Sequence, residues 1–384
     1  MSPRILIAGA GHAGGTLAVL LRHFGHQGPI TLIGEEAVLP YQRPPLSKAY
    51  LTGQAGVEGL KLRADGFYAD NKVTTLLSTR VESIQRETRT VTLNDGATLP
   101  FDVLILATGC RARTLPIPGA LVLRSLADAD RLKHALRPGA RLAIIGGGYV
   151  GLEVAASARA AGAEATIFER EKRILARVAS ETLSRFFHEY HTARGVEIRT
   201  GAAFEKGDYD AVIVGIGADP CDELAKAAGL ACDRGIIVDQ AARTSDPAIY
   251  AIGDATLRPV PLYDGRLRRL ESVPSALEQA KQAASSILGR PAPPPEVPWF
   301  WSDQYDLKLQ IAGLTGEADQ LVTRGDPKTG CFAMFHLREK KLAAVEAVNS
   351  PPEFMMGKKM IEQRTPVSPE RLADPALSMK EIAG

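Results

Sequence analysis

Two glycine hexads carry the chemistry this chain announces: Gly9-Ala10-Gly11-His12-Ala13-Gly14 near its amino terminus, and Gly146-Gly147-Gly148-Tyr149-Val150-Gly151 well inside it. In such a hexad the first glycine permits a tight turn. The second lets backbone N–H groups approach a pyrophosphate, and the third lets helix pack on strand. Two hexads therefore imply two dinucleotides. Carboxylates follow at the distance where an acid meets an adenosine ribose, Glu35 lying 21 residues beyond Gly14 and Glu169 lying 18 residues beyond Gly151. Glu169 repels a 2′-phosphate, whereas its neighbour Arg170 could pair with one; NADH is expected in preference to NADPH.

The elements needed to position these residues are written around them. The apolar runs Ile5-Leu6-Ile7-Ala8 and Leu142-Ala143-Ile144-Ile145 read as buried parallel strands, and each hexad then opens an Ala- and Leu-rich helix whose amino terminus faces the phosphate. Ile30-Thr31-Leu32-Ile33 and Ala165-Thr166-Ile167-Phe168 are the strands that end at the two acids. Further strands run through Phe101–Gly109 and Tyr209–Gly217, both ending in small turns. A strand from Thr244 should end at Gly253-Asp254, where Asp254 could accept from flavin ribityl hydroxyls, although Gly-Asp alone is merely a turn. A helix is expected over Ser275–Leu288, then a stiff Pro-rich linker over Pro291–Pro298, then a region of short strands and turns opened by Trp299-Phe300-Trp301. The fold class is α/β, with two Rossmann-like dinucleotide-binding domains and a carboxyl-terminal α+β domain.

Composition sets the bounds. With 45% apolar and 23% charged residues the chain has the balance of an ordinary globular protein, and no apolar run approaches the ~20 residues of a membrane span. A formal charge of +2 gives no case for nucleic acid or a membrane surface as partner. The four cysteines, Cys110, Cys221, Cys232 and Cys331, form no close redox pair, so neither a dithiol mechanism nor a disulfide framework is expected, and no metal site is read. A cytoplasmic location follows as the expectation.

Seven strings together resemble one family over nearly the whole chain: Gly9–Gly14; Arg43-Pro44-Pro45-Leu46-Ser47-Lys48; Ala107-Thr108-Gly109; Gly146–Glu153; Gly253-Asp254; Glu271-Ser272-Val273-Pro274; and Pro298-Trp299-Phe300-Trp301-Ser302-Asp303-Gln304-Tyr305. The sequence is similar to the FAD-containing, NADH-dependent ferredoxin reductases of bacterial oxygenase systems. That resemblance implies FAD on the first hexad and NADH on the second. It implies Gly14 or its neighbour Ala13 at the FAD pyrophosphate, with Gly9 and Gly11 as further residues of the FAD cradle, Glu35 at the ribose, Val81 near the adenine, and Lys48 at the isoalloxazine. Further FAD contacts carried over are Ala107, Thr108, Gly109, Arg124, Asp254 and Val273. For NADH the corresponding residues are Gly146, Gly148, Tyr149, Val150, Gly151, Glu169 and the turn at Gly217.

The implied catalytic residues are Lys48, Glu153 and Trp301. Lys48 would place a cation near the flavin N5 and N1, with Glu153, read in the first turn of its helix, pointing back to pair with it. Tyr149 stands where a family residue can cover the flavin, and a core aromatic is the ordinary alternative. Trp301 would form a polarisable wall through which electrons reach a docked [2Fe-2S] ferredoxin, with Arg63, Lys281 and Lys308 as candidate docking cations. The expected domains are FAD-binding over 1–110 and 236–297, NAD-binding over 111–235, and a carboxyl-terminal interface domain over 298–384. One departure is visible: only ten residues separate Arg199 from Asp210, where family members place a longer antiparallel meander. A diaphorase or oxidase with a small-molecule acceptor and a flavin redox sensor that binds a regulatory partner remain as alternative functions.

Overall fold

The computed structural model describes residues 2–383. The chain divides into two compact units, one comprising Met1–Arg43, Val57–Arg111 and Ala218–Glu296, the other Pro44–Gly56, Ala112–Gly217 and Val297–Gly384.

The first unit is built on a five-stranded parallel sheet whose spatial order is Ile249–Ala251, Val103–Leu106, Ile5–Ala8, Ile30–Ile33, Val73–Leu76. All four residues of Ile5–Ala8 are buried, which is why an uninterrupted apolar run, rather than an alternating one, encodes this central strand. Ile7 lies in register with Leu32 on one side and Ile105 on the other. The helix His12–His23 covers one face through Leu17 and Leu21, one turn apart, and packs with the helix Val273–Ile287. The latter begins two residues before the expected Ser275 because the Ser272 hydroxyl caps it, accepting from the Ser275 N–H at 3.2 Å, and Pro274 is tolerated in a first turn. A three-stranded antiparallel layer, Val81–Gln85, Thr90–Leu93 and Thr98–Pro100, lies over the core formed with Leu6, Leu104 and Leu106.

One expectation needs correction here. The strand ends at Ala251, and Gly253–Ala255 is a turn of 3-10 helix, so Asp254 does not terminate a strand. Gly253 sits at φ +81°, which no extended strand accommodates.

The second unit carries two sheets. Its parallel sheet has the order Val196–Thr200, Glu164–Glu169, Arg141–Ile145, Ala211–Val214, and the second hexad leads from Arg141–Ile145 into the helix Tyr149–Ala160. Residues 201–210 connect adjacent elements with no strand or helix of their own. Phe204 and Tyr209 from this short segment pack edge-on against Phe168, with ring centroids 5.4 and 6.2 Å away. The second sheet is antiparallel, ordered Trp299–Gln304, Leu307–Gly313, Lys341–Val348, Cys331–Arg338, Gln320–Asp326. Its strands hold six to eight residues rather than being short, because six consecutive residues from Phe332 to Leu337 are buried on both faces. Leu309, Phe332, Met334 and Val348 share one core with Leu183 and Phe187 of the helix Glu181–Thr192, each fully buried side chain contributing about 1.5–3 kcal/mol. Among the described residues no helix is long and apolar enough to cross a membrane.

Candidate dinucleotide and redox site

The first cradle is closed by contacts that only glycine allows. A Cβ on Gly9, which sits at φ +123°, would lie 2.1 Å from the Ala107 carbonyl oxygen, and one on Gly14 would lie 2.0 Å from the oxygen of Gly9. Gly11 is different: a Cβ there meets nothing within 4 Å. It precedes the helix His12–His23 with no side chain capping it, so the first-turn N–H groups face open space of the kind a phosphate fills. The neighbouring turn closes in as well, since a Cβ on Gly253 would stand 3.1 Å from Ala13 Cβ. Thus Asp254 lies beside the cradle, where it accepts from the Cys110 thiol at 3.6 Å. His12 Nδ1 is buried with no hydrogen-bond partner. Burial holds its imidazole below the usual histidine range against the opposing charge of Asp254, and Arg43 adds to the depression. At the strand end, the Thr108 hydroxyl donates to the Cys221 carbonyl at 2.6 Å, and Gly109 turns the chain at φ +68°. Glu35 is exposed and lies 3.5 Å from Arg80. Val81 belongs to the antiparallel layer's core, and Val273 is the first residue of its helix.

The second cradle repeats the construction. A Cβ on Gly146, at φ +112°, would lie 2.4 Å from the Gly215 oxygen, and one on Gly151 would lie 2.1 Å from the Gly146 oxygen. Around Gly148 there is again nothing within 4 Å. Glu169 folds back on the cradle, accepting from the Gly147 N–H at 2.7 Å and from the Glu171 N–H at 2.9 Å. A carboxylate so fixed keeps lone pairs for hydroxyl donors. Tyr149 is packed edge-on to Phe300 with ring centroids 4.8 Å apart, its hydroxyl donating to the Val178 carbonyl at 3.3 Å, and burial raises its phenol well above the ordinary value. Val150 is exposed, Arg170 likewise, and Gly217 accepts from the Arg113 N–H at 2.9 Å.

A buried charged pair stands on the helix that follows this cradle. Pro44 and Pro45 start a turn of 3-10 helix ending at Ser47, and Lys48 follows it with Nζ 2.8 Å from Glu153 Oε2. Glu153 also accepts from Ser47 Oγ at 2.5 Å and from Ser302 Oγ at 2.6 Å. The helix begins at Tyr149 and has no acid in its first turn, so Glu153, its fifth residue, is a turn further in than the sequence suggested. A helix dipole acts mainly within the first turn, and the lysine and two hydroxyls are therefore what stabilise this carboxylate. Neither serine was singled out by sequence.

The remaining candidates are placed as follows. Trp301 stacks at a tilt on Trp299, centroids 5.7 Å apart, and Lys358 lies over the Trp299 ring at 5.3 Å. Arg124 precedes a capped helix, its N–H donating to Asp128 at 3.2 Å. Arg63 is exposed and lies over the Phe67 ring, Lys281 pairs with Glu296 at 2.9 Å, and Lys308 is exposed on its strand.

Comparison with known proteins decides the family. The family described as pyridine nucleotide-disulphide oxidoreductase matches residues 3–280, and the domain described as reductase C-terminal matches residues 299–383. The chain belongs to the pyridine nucleotide-disulphide oxidoreductase family. Within it, a probable ferredoxin reductase of Castellaniella defragrans is 47% identical over 99% of this chain and 98% of its own length. Putidaredoxin reductase of Pseudomonas putida is 41% identical over 98% of this chain and 96% of its own. The solved covalent complex of putidaredoxin reductase with putidaredoxin superposes with a TM-score of 0.96 at 40% identity, covering 99% of this chain and 98% of that one. Despite the family's title, none of Cys110, Cys221, Cys232 and Cys331 takes part in a disulfide.

The residues present fit the two dinucleotides that the family implies. Each cradle has its second glycine facing open space and its first and third locked against backbone oxygens, so a pyrophosphate can approach the N–H groups without moving the strand beneath.

Proposed function

We propose that the chain is an NADH-dependent flavoprotein reductase that passes electrons from NADH through FAD to a [2Fe-2S] ferredoxin serving an oxygenase. The observation that carries this reading is the pair of equivalent cradles, each open at its second glycine. Support comes from relatives named as a probable ferredoxin reductase, a putidaredoxin reductase and a dioxygenase system's ferredoxin–NAD(+) reductase component, at 40–47% identity over 98–99% of this chain.

We assign FAD to the first cradle, with Gly9, Gly11, Ala13 and Gly14 at its pyrophosphate, Glu35 at its ribose and Asp254 at its ribityl chain. Val81, Ala107, Thr108, Gly109, Arg124 and Val273 complete the assignment. NADH is assigned to the second, contacted by Gly146, Gly148, Tyr149, Val150 and Gly151, with Gly217 at the far turn and Glu169 at its ribose. FAD held in the first cradle would supply two-electron hydride chemistry toward the nicotinamide and single-electron release toward the ferredoxin. The protein's part is to hold and to stabilise. Lys48, clamped by Glu153 at 2.8 Å, supplies a fixed cation for the charge that reduction places on the flavin ring. Trp301, stacked on Trp299, is the electron outlet, and Arg63, Lys281 and Lys308 are cations offered to an acidic partner. Domains of 1–110 with 236–297 for FAD, 111–235 for NAD and 298–384 for the interface accompany this reading. Cysteines outside any disulfide and a balanced charge suit a cytoplasmic setting.

Stopped-flow reduction of the holoenzyme by NADH and NADPH, followed by addition of a panel of ferredoxins, tests the proposal. NADH should bleach the flavin far faster than NADPH does, and a ferredoxin should reoxidise it. Failure of NADH to bleach the flavin, or reduction of every ferredoxin no faster than free flavin achieves, refutes it.

A further inference from the structure

Beyond the Lys48–Glu153 pair runs a line of buried polar side chains that neither cradle uses. Glu153 is 5% exposed, Ser302 and Gln304 are each 1% exposed and His191 is 0% exposed. Ser302 and Gln304 stand two apart on the strand Trp299–Gln304 and so share a face, while His191 comes from the last turn of the helix Glu181–Thr192. Distances join them into one chain: Ser302 Oγ to Glu153 Oε1 at 2.6 Å, Gln304 Nε2 to Ser302 Oγ at 3.0 Å, and His191 Nε2 to Gln304 Oε1 at 2.8 Å. Beyond His191, the Tyr305 hydroxyl lies 3.5 Å from its Nδ1.

The direction of every bond is forced from the Glu153 end. The carboxylate paired with Lys48 can only accept, so the Ser302 hydroxyl proton is committed to it. Ser302 must then accept, which turns the Gln304 amide nitrogen toward it and the amide oxygen toward His191. That oxygen needs a donor, and the imidazole therefore carries its proton on Nε2, leaving Nδ1 to accept from Tyr305. Burial suits both ends to these roles, keeping the imidazole neutral and the Tyr305 phenol protonated, its value pushed up to about 12. Tyr305 is held at φ +55°, a left-handed conformation unfavourable for a tyrosine, and its ring lies 5.0 Å from that of His191. All donors point toward Glu153, an arrangement in which each bond polarises the next.

We propose that His191 is a positioning residue for Lys48: through Gln304 and Ser302 its Nε2–H orients the Glu153 carboxylate that clamps the Lys48 ammonium for hydride transfer. This rests on the assignment of Lys48 to the flavin ring. The chain orients and does not conduct. An amide set between serine and histidine cannot pass a proton without becoming its imidic tautomer, so no proton is routed through Gln304.

The test uses the FAD-loaded enzyme with Lys48→Met, His191→Phe, His191→Gln and Ser302→Ala. His191→Phe fills the space but cannot donate; His191→Gln can donate. The expected result is a limiting rate of flavin reduction by NADH about tenfold lower in His191→Phe, equivalent to about 1.4 kcal/mol. The Kd for NADH stays unchanged, and the bound flavin's absorbance maximum moves in the same direction as in Lys48→Met. His191→Gln should retain the wild-type rate and spectrum. Should His191→Phe fail to fold, Ser302→Ala carries the same expectation. In enzyme labelled with nitrogen-15 at histidine, His191 should show the neutral Nε2–H tautomer. A silent Lys48→Met removes the assignment of Lys48 to the ring. If Lys48→Met slows transfer while His191→Phe matches wild type, or His191→Gln is as slow as His191→Phe, or the tautomer is Nδ1–H, the positioning role of His191 is overturned while the flavin assignment stands.

Discussion

The two cradle glycines Gly148 and Gly151 should separate binding from folding. Gly148 has φ −82° and ψ −179°, extended backbone open to any residue, and a Cβ there meets nothing within 4 Å. Alanine caps a helix less well than glycine by about 0.5–1 kcal/mol, which the lower entropy of the unfolded alanine chain offsets by about 0.4–1 kcal/mol, so Gly148→Ala should unfold within about 0.5 kcal/mol of wild type. The new methyl nevertheless projects into the space where the pyrophosphate meets the N–H groups. Displacing one phosphate oxygen from one backbone donor forfeits a charge-assisted hydrogen bond of about 1.5–3 kcal/mol, which raises the Kd for NADH about ten- to hundredfold. Gly151→Ala sets its Cβ 2.1 Å from the Gly146 oxygen and 3.4 Å from the Ile144 side chain, a collision with strand and turn that must cost stability itself. The assay is the NADH-concentration dependence of anaerobic flavin reduction, with flavin content and thermal midpoint measured on the same samples. An unchanged midpoint and flavin content with weakened NADH binding is the expected Gly148→Ala result. A Kd within twofold of wild type would show that the second cradle does not hold the NADH pyrophosphate.

Three further outcomes follow from individual side chains. His191 is held down to about 4 by burial, below the ordinary 6.5, so between those values the unfolded chain binds the extra proton; stability should therefore fall as pH drops from about 6.5 to 4, by up to about 3 kcal/mol, and denaturant titrations of His191→Phe should lose that slope. Arg324 pairs with Glu353 at 3.1 Å and donates to the carbonyls of Leu372, Asp374 and Leu377; Arg324→Ala should cost about 3 kcal/mol and speed proteolysis within 365–383, read by limited digestion and mass spectrometry. Glu169→Gln keeps an acceptor for the Gly147 N–H and removes the charge that repels a 2′-phosphate; the ratio of kcat/KM for NADPH over NADH should rise about tenfold, and an unchanged ratio would dissociate Glu169 from nucleotide choice.

Sequence made the two cradle strands legible because Ile5–Ala8 and residues 142–145 are short, wholly buried and followed at once by a hexad whose glycines admit only one local geometry, whereas Val73–Leu76 and Val196–Thr200, partly exposed, gave no such signal. Ile5–Ala8 and residues 142–145 needed no tertiary information. The carboxyl-terminal sheet was harder to read, since Phe332–Leu337 is buried without alternation and a continuous apolar run gives no period by which to measure a strand. Asp254 was misplaced by one element because Gly253 adopts a positive φ that a strand pattern cannot signal.

The limits of sequence reading are sharpest at Glu153. Standing two residues after Gly151 it reads as a first-turn acid, yet its neighbours Leu152 and Val154 are both fully buried. What stabilises it instead comes from Ser47 and Lys48 on one turn and Ser302 on a distant strand. Serine, glutamine and histidine are common residues, and sequence separations of 106, 149 and 113 leave no pattern to detect. An apolar residue at position 153 would pack at lower desolvation cost, so the buried carboxylate and its three donors are retained at the expense of stability. That expense is intelligible where the carboxylate's task is to hold an ammonium in one place. It is also why, of the residues proposed to act in catalysis, Lys48 and its partner Glu153 were readable from their strings and the resemblance, while the side chains that hold Glu153 in place became visible only in the folded chain.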